Sequence, residues 1–158
     1  MRNIKAAFHW IMRILKKHRV PYLIEGGLAA EIYGAKRKLL DIDIDIPEKK
    51  FKNILADVKK YIVFGPEQYR GEGFDIFLMT LKYRGQLIDV AASRAKLFDK
   101  KKKRWVPADD NLHKYRTKIV FGERVRIIPK KDLIVYKSKL RRRVDKIDIR
   151  EMTRVLDI

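Results

Sequence analysis

Three aspartates at alternate positions, Asp41, Asp43 and Asp45, are the side chains of this sequence with the most chemistry to offer. They interleave with Ile42, Ile44 and Ile46. A period of two residues is that of a β-strand, so the carboxylates share one face and the isoleucines take the other. Neighbouring carboxylates on that face stand about 6.6 Å apart at Cα, at a rise of about 3.3 Å per residue. Like charges so placed repel. A hard divalent cation such as Mg²⁺ takes carboxylate oxygens, keeps positions for substrate phosphates, and relieves that repulsion. An exposed edge strand with an acidic outer face has the same pattern, and the alternation alone does not separate the two.

Two further features bear on the choice. Upstream, the apolar run Tyr22-Leu23-Ile24 ends in Gly26-Gly27 and opens into a helix-like segment. A strand, a glycine turn and a helix start present backbone N–H groups and a positive dipole end, which suit a phosphate, although a tight turn by itself also accounts for the glycines. Downstream, Asp89 is the one charged residue in Leu87-Ile88-Asp89-Val90-Ala91. A carboxylate in a buried strand is expensive without a partner.

On these residues the chain resembles the nucleotidyltransferase superfamily, the one that includes DNA polymerase beta. Gly26-Gly27, the short helix and Asp41-Ile42-Asp43 match its signature, and Arg37 matches a basic position of the minimal, toxin-like bacterial and archaeal subgroup. Gly27 stands where many members have serine, and Asp45 offers Asp43/Asp45 as a second register; the Arg37 spacing favours Asp41/Asp43. Toward the C-terminus, Pro129, Asp132-Leu133-Ile134, Lys137, Arg142, Asp145 and Asp148 match the subgroup's tail.

The resemblance implies two Mg²⁺ ions held by Asp41, Asp43 and Asp89, with Asp89 as the third metal-binding aspartate on a strand of the same sheet. It implies an NTP whose phosphates lie at Gly26 and Gly27 and are neutralised by Arg37 and Lys137. Lys137 fits equally as a salt-bridge partner of Asp145 or Asp148. The implied reaction moves a nucleoside monophosphate from the NTP to a hydroxyl, with Asp89 accepting the proton. RNA, a tRNA end above all, is the expected acceptor. An antitoxin is a candidate partner, since toxin–antitoxin systems use this fold, and so is a second copy of the chain. A metal-dependent nuclease and a catalytically silent nucleic-acid-binding module are the alternatives. The nuclease shares the need for clustered aspartates and a basic surface but not for the Gly-Gly turn.

Composition sets the outer bounds. At 158 residues and 46% hydrophobic, the chain can build a proper core. The net charge of +19 points to a polyanionic partner, nucleic acid first, because a compact domain gains nothing from such self-repulsion. The absence of cysteine excludes disulfides and thiolate metal sites and fits a reducing cytoplasm. No apolar run is long enough for a membrane span, and the charged N-terminus does not read as a signal peptide. Scarce Asn and Gln beside abundant Lys and Arg suggest a thermophile.

The elements that must position the site follow an α/β (α+β) pattern: a mixed sheet with flanking helices and a small C-terminal helical part. Residues 1–128 form the expected catalytic core with its N-terminal amphipathic helix, and 129–158 a helical extension packed on the same domain. Ile4, Ala7, Phe8, Ile11, Ile14 and Leu15 predict a helix over 2–18. Strands follow at 22–25 and 40–46, with a helix over 28–33 between them. Pro47 opens a helix to about residue 60, and a strand is expected at 61–64. A polar loop is expected over 65–73, with Tyr69 and Arg70 as candidate contacts. Hairpins are expected at 74–83/86–91 and 117–121/124–128. Lys96 to Arg104, beside Trp105, reads as a nucleic-acid grip or a solvated loop. A helix is expected over 107–116, begun by Asp109-Asp110, and another from Pro129.

Overall fold

A computed structural model describes residues 3–156; the ends of the expected 1–128 and 129–158 segments, residues 1–2 and 157–158, lie outside it. The first helix, α1 (Ile4–Lys17), is capped by Asn3, whose side chain accepts the Ala6 N–H at 2.9 Å. Its apolar stripe is enclosed at Phe8, Ile11 and Leu15, which are 0% exposed. Each such side chain contributes about 1.5–3 kcal/mol by leaving water. The chain then enters β1 (Leu23–Glu25), α2 (Gly26–Ile32) and β2 (Asp41–Ile46). The helix α2 starts at Gly26 itself, so the glycines are its first turn rather than a linker ahead of it.

After Pro47 a 3₁₀ turn over Glu48–Lys50 leads into α3 (Phe51–Val58). Three long strands follow, β3 (Ile62–Gly71), β4 (Phe74–Tyr83) and β5 (Gln86–Asp99), then β6 (Arg104–Pro107), β7 (Arg116–Val120), β8 (Glu123–Ile127), α4 (Lys130–Leu140) and α5 (Arg143–Thr153). The strands form one mixed sheet in the order β3-β4-β5-β2-β1-β8-β7, with β6 paired to β5. β2 runs antiparallel to β1 and parallel to β5, so it is central and paired on both sides. Ile42, Ile44 and Ile46 are fully buried on one face. Helix α1 packs against α3 and β5, whereas α4 packs on β5 and against α2 and α5.

Three expectations are corrected. The polar stretch 65–73 is not a loop: β3 continues to Gly71, paired residue for residue with β4, and Tyr69 faces Ile76 across the ladder. Register shifts on both sides of Phe64 let Gly65 and Pro66 sit where the ladder is irregular, which is where a strand tolerates proline. The basic run 96–104 is a loop only at its centre. Lys96 lies in β5, Arg104 opens β6, and Lys100–Lys103 form the tight turn between them, with the Asp99 carboxylate accepting the N–H groups of Lys101 and Lys102 at 3.0 Å. Residues 107–116 form no helix. Pro107 closes β6, and the Ala108 and Asp110 N–H groups donate to Ala95 and Ser93 on β5 at 2.9 and 2.7 Å. Those bonds to a neighbouring strand outcompete the local helix signal.

Candidate active site

Register brings the aspartates together. Asp43 lies directly opposite Asp89 in the parallel β2–β5 ladder and opposite Glu25 in the β1–β2 ladder. Cross-strand partners project to the same side, so Asp41, Asp43, Asp45, Glu25 and Asp89 share the sheet face that the isoleucines leave. Carboxylate oxygens of Asp41, Asp43 and Asp89 lie within 4.8 Å of one another.

Their electrostatics follow from that crowding. Burial, then the charges of Asp41 and Asp89, push Asp43 up to about 7. Burial raises Asp41 too, opposed by the guanidinium groups of Arg37 and Arg142. Asp89 is raised by burial and held by the Thr80 hydroxyl, which donates to Asp89 Oδ1 at 2.6 Å. A set of carboxylates that resist ionising together is what a hard cation resolves.

The glycine turn is fitted to this cluster. Gly26 has φ +59°, and a Cβ there would lie 1.9 Å from Asp43 Oδ2. Only glycine meets both conditions. The Gly27 N–H donates to Asp43 Oδ2 at 3.3 Å, and a Cβ on Gly27 would meet Arg37 Nη2 at 2.9 Å. The turn is thus pressed between a carboxylate and a guanidinium.

Arg37 belongs to a chain of charges running under the site. Its Nε donates to Asp148 Oδ1 at 2.8 Å. Lys137 Nζ lies 3.0 Å from Asp148 Oδ2 and 3.3 Å from Asp145 Oδ1. Arg142 closes the chain on Asp145, through Nε at 2.8 Å and Nη2 at 3.1 Å. Lys137 is 1% exposed and both aspartates 0%. Burial raises Asp145, but the hydrogen bond and charge of Arg142 outweigh it and leave its pKa below the ordinary value. The two readings of Lys137 meet here. Its ammonium is held by both aspartates of the ion pair, and its charge still reaches Asp43 and Glu25.

Sequence reasoning did not pick out Thr80 and assigned Arg142 no role at the site. It also passed over Glu25 and Asp110, which lie with Asp45 in a second group of carboxylates within 4.8 Å of one another. A charge at the end of an apolar strand was the available signal for Glu25; nothing local marked Asp110. Tyr69 and Arg70 lie on β3, and Arg70 lies over the Trp105 ring at 5.0 Å.

No protein-family profile matches the sequence, and no curated protein matches it. Solved structures do match its shape. A crystal structure described as a putative nucleotidyltransferase from Thermotoga maritima aligns with a TM-score of 0.66 at 17% identity, over 97% of this chain and 94% of that one. The lincosamide antibiotic adenylyltransferase LnuA, bound to lincomycin, aligns at 0.64 and 15% identity over 98% of both chains. ANT(2'')-Ia in complex with adenylyl-2''-tobramycin aligns at 0.59 and 16%, over 95% of this chain and 87% of that one. The common element is the nucleotidyltransferase fold.

Proposed function

We propose that this chain, built on the nucleotidyltransferase fold, moves a nucleoside monophosphate from an NTP to a hydroxyl, with RNA as the acceptor. The observation that carries the reading is the convergence of Asp41, Asp43 and Asp89 beside Gly26 and Gly27. The donor set is all oxygen and strained by its own charge, which fits Mg²⁺. When bound there, a pair of Mg²⁺ ions supplies Lewis acidity at the transferring phosphate and eases deprotonation of the acceptor hydroxyl.

The chain's own groups do the rest. Gly26 and Gly27 let backbone come close to the phosphates, since neither carries a side chain in the way. Arg37, beside Gly27, and Arg142, whose charge reaches Asp41, balance the charge of the leaving pyrophosphate. Lys137 acts on the nucleotide through them, by holding Asp148 and Asp145 in place. Asp89 accepts the proton of the attacking hydroxyl; its raised pKa suits a base that must hold a proton once taken. A bond forms from the acceptor oxygen to the α-phosphorus, the bond to the pyrophosphate oxygen breaks, and the proton rests on Asp89. Positioning and electrostatics suffice for this chemistry without a covalent nucleophile.

The +19 charge supports a polyanionic acceptor. A second reading, a small hydroxyl-bearing acceptor, is favoured by the lincomycin and adenylyl-tobramycin of the structural neighbours. Incubation with Mg²⁺, each labelled NTP and total RNA, with lincomycin and tobramycin in parallel, separates them. Label in RNA supports the first reading and label in a small molecule the second. Shortened RNA would indicate a nuclease, and a gel shift without chemistry a binding module. Unchanged transfer by Asp43→Asn would overturn the metal assignment.

A further inference from the structure

We propose that Glu25, Asp45 and Asp110 form a second cation site, holding one divalent ion of the hard, oxygen-seeking class apart from the catalytic trio. Each offers a carboxylate oxygen, and the three oxygens lie within 4.8 Å of one another. Ligands of a single ion of Ca²⁺ size, each about 2.3–2.6 Å from it, stand at most about 5.2 Å apart, so the spacing of the three oxygens is compatible with one shared ion.

The surroundings demand a positive charge that the protein does not provide. Glu25 is 5% exposed and Asp45 7%. Glu25 Oε1 is buried and has no hydrogen-bond partner. Among the described residues no lysine, arginine or histidine forms an ion pair with any of the three. Lys137, whose charge reaches Glu25, has its ammonium on Asp145 and Asp148. An enclosed carboxylate oxygen with neither a hydrogen bond nor an ion-pair contact is among the costliest groups a fold can carry. Burial holds all three carboxyl groups above their ordinary pKa; the charge and hydrogen bond of Asp110 add to this at Glu25 and Asp45, which are raised most strongly, and the charge of Asp109 adds to it at Asp110.

The three ligands come from separate parts of the chain: the end of β1, the C-terminal part of β2, and the segment between β6 and β7. The Asp110 backbone is fixed to Ser93, in the middle of β5, by a 2.7 Å hydrogen bond. An ion here ties that segment to the sheet centre. It also neutralises Glu25, which stands opposite Asp43, and so shields the catalytic aspartates from a second block of negative charge. The inference does not depend on which reaction the trio performs.

Mn²⁺ is the probe, counted by electron paramagnetic resonance on the full chain. In the variant Asp41→Asn/Asp43→Asn/Asp89→Asn the catalytic trio is neutral, and one Mn²⁺ per chain remains bound. Adding Asp110→Asn, or separately Glu25→Gln, weakens that binding at least tenfold, and Mn²⁺ no longer raises the melting temperature. Asp110 is half-buried on an irregular segment and its amide is isosteric, so that variant decides the matter even where Glu25→Gln fails to fold. The proposal is overturned where the triple variant binds no Mn²⁺, or where neither added substitution changes its binding. It is equally overturned where the triple variant gains stability only on acidification and shows no response to Mn²⁺, since the three carboxyl groups would then share protons instead of an ion. A wild-type chain that transfers no nucleotide leaves these outcomes intact, and a transferase without this Mn²⁺ leaves the proposed reaction intact.

Discussion

Asp43 concentrates the residue-scale argument. Its carboxyl is raised from 3.8 to about 7. Between those pH values the folded chain holds a proton that the unfolded chain has lost, so rising pH removes stability from the metal-free protein across that window, and the deficit persists above it. Chemical denaturation in EDTA therefore shows stability falling from about pH 4 to 7, with a smaller fall for Asp43→Asn. Mg²⁺ must displace this proton. Its affinity, measured by calorimetry, weakens about tenfold for each pH unit below 7, with proton release on binding. Gly26→Ala is the sharpest steric test. Its Cβ would collide with Asp43 Oδ2 at a φ of +59°, costing about 1–3 kcal/mol in the turn. Nucleotide transfer falls by at least about 100-fold as the carboxylate is pushed aside, an effect on the scale of a lost electrostatic group.

At the scale of elements, the contact between α4 and α5 sets where the two arginines stand. Lys137 on α4 meets Asp145 and Asp148 on α5, and those hold Arg142 and Arg37. Breaking a buried ion pair by removing one partner costs about 3–5 kcal/mol. Here the aspartates keep their arginines, so Lys137→Met is expected to cost about 3 kcal/mol, a fall of about 6–12 °C in melting temperature for a chain of this size. The Michaelis constant for the NTP rises with it as Arg37 shifts. A variant with unchanged melting temperature but weakened NTP binding would mean instead that Lys137 meets the phosphates directly.

For the whole molecule the governing quantity is charge. With +19 spread over 158 residues, RNA affinity rests on phosphate contacts and counterion release. The logarithm of the binding constant, followed by fluorescence anisotropy, falls linearly with the logarithm of salt. A protein with six to ten phosphate contacts loses about 10³–10⁵ in affinity between 50 and 200 mM salt, and a loss in that range is expected here. Affinity that ignores salt would move the acceptor toward small molecules. No helix among the described residues is long and apolar enough to cross a membrane.

The strand alternation at 41–46, the glycines ahead of it and the lone charge of Asp89 were legible because each is a local pattern, with a period or a composition that one segment carries alone. So were the helix start at Pro129 and the hairpin turn between residues 83 and 86. What the sequence could not decide is whatever depends on a neighbour far along the chain. The stretch 107–116 carries helix signals, yet β5 captures its N–H groups. The stretch 65–73 reads as a loop until β4 pairs with it. Asp110 joins Glu25 and Asp45 only through that capture, and Lys137 finds both of its aspartates only when α4 and α5 pack together. Local pattern fixes which residues lie on a face; long-range pairing fixes which faces meet, and the site exists at that second level.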